Sequence, residues 1–141
     1  MSSSRFPGQG PGFVPAYQVS GTPFAETKAA VTHTTAVKFS FPTVTRWVTV
    51  SATDAAHGAV RIGFTENGVN SNPTANYYLL ELEKHDTSLF NGSTERLELR
   101  CKELWVRGES TTIDKISVVA GLTGIHEFPV LSGSNGFKGV G

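Results

Sequence analysis

The chain reads as an all-β protein: a single jelly roll of about eight antiparallel strands in two packed sheets, preceded by an extended N-terminal arm. Three observations predict this. Apolar residues alternate with period two across most of positions 36–122, the connections carry Asn, Asp, Gly and Pro, and no window keeps helical periodicity for more than about two turns.

Residues 1–25 differ from everything after them. Pro7, Pro11, Pro15 and Pro23 are interleaved with Gly8, Gly10, Gly12 and Gly21, and Arg5 is the only charge. Proline removes backbone donors and glycine costs conformational entropy, so no helix forms here. Yet Phe6, Phe13, Val14, Tyr17, Val19 and Phe24 gain by burial, unlike the polar residues of a disordered tail. An arm that finds a groove on a neighbouring subunit satisfies both facts; folding back on its own domain is the alternative. Phe13, Tyr17, Gln18 and Phe24 are the candidate partner-binding residues.

The domain proper is expected over residues 26–131. Val37, Phe39 and Phe41 share one face, followed by Val48, Val50 and Ala52, by Val60, Ile62 and Phe64, and by Tyr78, Leu80 and Leu82. The alternation continues at Leu97, Leu99 and Cys101, and at Ile116, Val118, Ala120 and Leu122. The runs 31–35 and 104–106 supply two more short strands. Turns are expected at 54–58, 67–68, 70–73, 91–92 and 108–112. The interior is expected to hold Phe39, Phe41, Val50, Ile62, Phe64, Leu80, Leu99 and Val118. Residues 132–141, with Gly133, Gly136, Gly139 and Gly141, read as a flexible or partner-ordered tail.

Twelve Lys and Arg balance twelve Asp and Glu, and charged residues make up only 17% of the chain, against ~25% in ordinary soluble domains. Nucleic acid is not expected as a partner, because that attraction sums over many basic contacts. Low charge also removes the repulsion that keeps like subunits apart. One cysteine, Cys101, excludes an intramolecular disulfide and suits intracellular assembly. No signal sequence and no membrane span are expected, since no run of eighteen apolar residues occurs.

No enzyme chemistry is legible. His33, His57, His85 and His126 lack ligand spacing, so neither metal nor other cofactor is expected. Cys101 shares the face of Leu97 and Leu99 and reads as a buried thiol. Gly8 to Gly12 lacks the lysine and following helix of a phosphate loop. Glu81, Glu83, Glu95 and Glu98 read as solvated, not as a glycosidase pair. Asn91-Gly92-Ser93 fits a glycosylation acceptor but reads as a polar turn. Trp47, Tyr77 and Trp105 lie off the main apolar phase, where they suit either a subunit interface or a sugar-binding platform.

The stretch 15–24 (PAYQVSGTPF), with 62–69 (IGFTENGV), 76–78 (NYY), 99–105 (LRCKELW) and 118–125 (VVAGLTGI), resembles the single jelly-roll capsid proteins of large icosahedral double-stranded DNA viruses, in particular their vertex and minor capsid components. The resemblance implies a penton subunit that assembles in the host cytoplasm, closes as a pentamer and touches major and minor capsid proteins through its arm. The near absence of basic residues in the arm departs from genome-binding capsid arms and favours a protein partner. The competing expectation is a carbohydrate- or receptor-binding β-sandwich, marked by outward-facing aromatics clustered in a shallow groove.

Overall fold

Nine strands, one helical turn and one 3-10 turn account for the regular structure of residues 21–72 and 74–141, the part of the chain that the computed structural model describes. The strands are β1 (Thr22–Val31), β2 (Val37–Ser40), β3 (Thr45–Asp54), β4 (Ala59–Gly63), β5 (Tyr77–Glu81), β6 (Glu83–Asp86), β7 (Leu89–Ser93), β8 (Glu103–Gly108) and β9 (Ile113–Leu122). The helical turn α1 spans Glu66–Asn70. Two antiparallel sheets result, in the orders β1-β9-β3-β7-β6 and β2-β8-β4-β5.

The connectivity is that of a jelly roll. The ladders β1·β9, β2·β8, β3·β7 and β4·β5 nest inside one another like the rungs of one long hairpin. Rolling that hairpin adds the ladders β3·β9 and β4·β8, which complete the two sheets. The chain between β5 and β6 passes from one sheet to the other at Leu82, whose side chain is fully buried and whose amide donates to Gly58 O at 3.0 Å.

The expected alternation fills the space between the sheets. Phe39, Phe41, Val50, Ile62, Leu80 and Val118 are buried there, with Val48, Val106, Leu104, Ile116 and Ala120. Phe64 and Leu99 are only half-buried at the margin. Ala30 lies in the left-handed region (φ 53°). It breaks the alternation of β1 so that Val31 turns inward beside Ile113.

Several elements differ from the sequence expectation, each for a local reason. β1 starts at Thr22, so the last residues assigned to the arm are already paired with β9. Asn91-Gly92 is not a turn: it lies in β7, where a Cβ on Gly92 would stand 3.1 Å from Glu81 O, so glycine permits the close approach. Asn67-Gly68 belongs to α1, which Thr65 caps by accepting from Gly68 N at 2.9 Å.

Leu97 to Cys101 does not form a strand, despite its alternation. After Thr94 pairs with Val50, the register slips by one residue before Leu97 pairs with Val48. Beyond that point the buried Thr45 hydroxyl bridges the gap in the ladder, donating to Leu99 O at 2.9 Å and accepting from Cys101 N at 3.0 Å, beside a single backbone bond from Thr45 N to Cys101 O at 3.0 Å.

Residues 132–141, read as a flexible tail, fold onto α1. Ser132 caps a 3-10 turn at Gly133–Asn135, Gly133 N donates to Gly141 O at 3.0 Å, and the Thr65 hydroxyl donates to Val140 O.

Candidate functional site

The two lateral edges of the sandwich are finished differently. At one edge β1 faces β2, and the inward side chains of β1 close the gap. Phe24 meets Phe41 edge-on with ring centroids 5.1 Å apart, and the Lys28 ammonium lies 5.3 Å from the Phe39 ring while pairing with Glu26 at 3.3 Å. Inward-pointing charges on an edge strand also discourage further strand addition there. Phe24, expected to grip a partner, is thus packed against its own domain, because the sheet begins two residues before it. Phe13, Tyr17 and Gln18 lie outside the described residues.

At the opposite edge the sandwich is open. β5 ends its sheet, and the chain that follows β7 runs past it at a distance, leaving a groove of about 550 Å³ between Phe64, Tyr77, Tyr78, Leu97 and Leu99. Tyr78 shares the inward phase of Leu80 and Leu82 but is 61% exposed. Tyr78, Phe64, Leu97 and Leu99 therefore have the orientation of core residues without full cover. Asn76 and Glu95 supply polar groups at the rim, while the buried Thr94 hydroxyl accepts from Val50 N at 3.0 Å. A second hollow of about 340 Å³, lined by Thr45, Arg46, Leu99 and Thr123, shares Leu99 with the groove.

Outside the groove the two sheet faces contrast in charge. On the four-stranded sheet, Lys38 pairs with Glu103 and lies 5.7 Å from the Trp105 ring. On the same sheet Arg61 pairs with Glu109, lies 4.5 Å from the Tyr77 ring and donates to Val69 O of α1 at 2.8 Å. Gly63 makes room for α1, since a Cβ there would stand 2.7 Å from Val69. On the five-stranded sheet, the outward phases of β1, β9 and β3 present Ala25, Thr27, Ala29, Ser117, Val119, Thr49 and Ser51, a nearly uncharged surface broken by Lys115. Trp47 lies across Gly121 on this same face, under Arg96 at 5.8 Å. Trp47, Tyr77 and Trp105 therefore occupy two faces and form no single aromatic platform.

Titratable groups with altered acidity lie elsewhere. Burial pushes the Asp54 carboxyl up, and the neighbouring Asp114 charge adds to the effect; Ala55 N donates to both carboxylates at 3.0 Å. Burial likewise pushes the Cys101 thiol up, so the thiolate is disfavoured, and Thr45 Oγ1 stands 3.6 Å from Cys101 Sγ. Among the described residues no three His, Cys, Asp or Glu side chains gather as metal ligands. No helix among them is long and apolar enough to cross a membrane.

No protein-family model and no curated protein matches this chain.

The groove had a partial signal in the sequence. Phe64, Tyr78, Leu97 and Leu99 are all legible as inward-phase residues, but period two does not say which end of a strand outruns the opposing sheet.

Proposed function

We propose that the protein is a structural subunit of an icosahedral capsid, a penton-like jelly roll that associates with copies of itself and with neighbouring capsid proteins, without catalysis. The observation that carries this reading is the asymmetry of the sandwich: one lateral edge is closed by Phe24 on Phe41, and the other presents the open apolar groove beside Tyr78. Different edges on one subunit suit head-to-tail contacts, which close into rings when the rotation permits. The nearly uncharged outward phases of β1, β9 and β3 and the zero formal net charge supply little repulsion between copies. Closure at five, the association with other capsid proteins and the virion location follow from the resemblance of the arm and late segments to vertex proteins.

The test is localisation. Electron imaging of virus particles carrying a label on this chain is expected to place the label at the five-fold vertices. Label absent from every particle, or spread evenly over the facets, would sink the penton reading.

A further inference from the structure

The chain enters β1 at Gly21, on the closed edge, whereas the groove opens on the other edge at the same end of the sandwich. Thr22 pairs with Leu122, Leu122 pairs with Thr45, and Thr45 is bonded to Leu99 at the groove wall. Three strand spacings of ~4.8 Å separate the two, roughly 14 Å across the sheet. Gly21 therefore stands on the closed side of the domain. In a head-to-tail ring that side faces the groove of the next copy.

The segment has the chemistry of an occupant. Phe13, Pro15, Tyr17 and Val19 recur at every second position, so an extended chain presents all four on one face, with Val14, Ala16, Gln18 and Ser20 on the other. Extended, residues 13–19 span about 20 Å. β5 lies at the end of its sheet, so the backbone on its outer side belongs to no ladder among the described residues and is placed to receive a strand.

We infer that residues 13–20 of one copy seat in the groove of the next copy, with Phe13, Tyr17 and Val19 covering Phe64, Tyr78, Leu97 and Leu99. This rests on the proposed self-association and names its contact. The arm supplies the cover that the inward-phase residues of the groove lack, and one such contact per subunit, repeated around the ring, closes it. Gln18, on the opposite phase, stands at the rim beside Asn76 and Glu95.

Two full-length variants test it, Gln18→Cys in one preparation and Glu95→Cys in another; the native Cys101 is buried and does not compete. Mixed as dilute subunits, concentrated and mildly oxidised, they are expected to give a disulfide-linked heterodimer, and the double variant a ladder up to the ring size. A ring by native mass without the heterodimer overturns the groove assignment and leaves self-association standing. Subunits that stay monomeric at every concentration overturn both. A cross-linked monomer from the double variant places the arm in its own groove and also overturns the inference. Tyr78→Glu, at an exposed position, should leave the thermal midpoint of the dilute monomer unchanged and weaken ring formation about tenfold or more; unaltered assembly would contradict the inference.

Discussion

Replacing Thr45 by valine tests how the irregular stretch before β8 is held. Thr45 is fully buried, and its hydroxyl serves both Leu99 O and Cys101 N, where a ladder bond would otherwise stand. Valine keeps the shape and removes the hydroxyl, orphaning one donor and one acceptor. A buried unsatisfied backbone group costs about 1–3 kcal/mol. Cys101 N is buried and bears that cost, whereas Leu99 O borders the hollow beside Thr45 and can recover a water. The expected loss is about 2–3 kcal/mol, or a fall of roughly 6–12 °C in Tm for a chain of this size. Equilibrium urea unfolding of Thr45→Val beside Thr45→Ser is the assay, since serine retains the hydroxyl and loses one methyl. Equal midpoints for the two variants would refute the claim that the hydroxyl bridges the gap in the ladder.

Other expectations follow from the same packing. Phe39→Ala, in the centre of the core, should cost ~3–5 kcal/mol by denaturant titration, whereas Glu98→Gln should cost at most about 1 kcal/mol, because its pairing with Arg96 is largely exposed. Gly121→Ala places a methyl against the Trp47 indole and should destabilise by about 1–3 kcal/mol, visible also as a shift in tryptophan emission. Asp54 holds its proton more tightly folded than unfolded, so its contribution is fully present below the ordinary carboxyl value of 3.8 and is lost as pH rises through the raised value. Asp54→Asn should therefore flatten that decline and be the more stable form at neutral pH; an unchanged pH profile of the urea midpoint would contradict this.

Much of the sandwich was legible because period two is imposed by the pleat: Val48, Val50 and Ala52 on β3 and Ile116, Val118 and Ala120 on β9 lie inward as the alternation requires. β1 was harder to read, because Glu26 and Lys28 occupy its inward phase and conceal the pattern. The turn expected at Asn91-Gly92 rested on residue preference, and a close backbone approach to Glu81 overrode it. Leu97 to Cys101 kept the alternation of a strand while a register slip and one hydroxyl displaced its ladder. The groove draws on stretches far apart in sequence, so its residues were visible singly and their incomplete cover was not. The order of Ser132 to Gly141 depends on contacts with Thr65 and Gly68 that composition cannot foretell.

Native mass spectrometry of the full chain across a concentration series tests self-association most directly. A single closed ring, of five copies if the vertex reading holds, is expected to dominate at micromolar concentration and to dissociate on dilution. A strictly monomeric chain at the highest concentration would contradict the account.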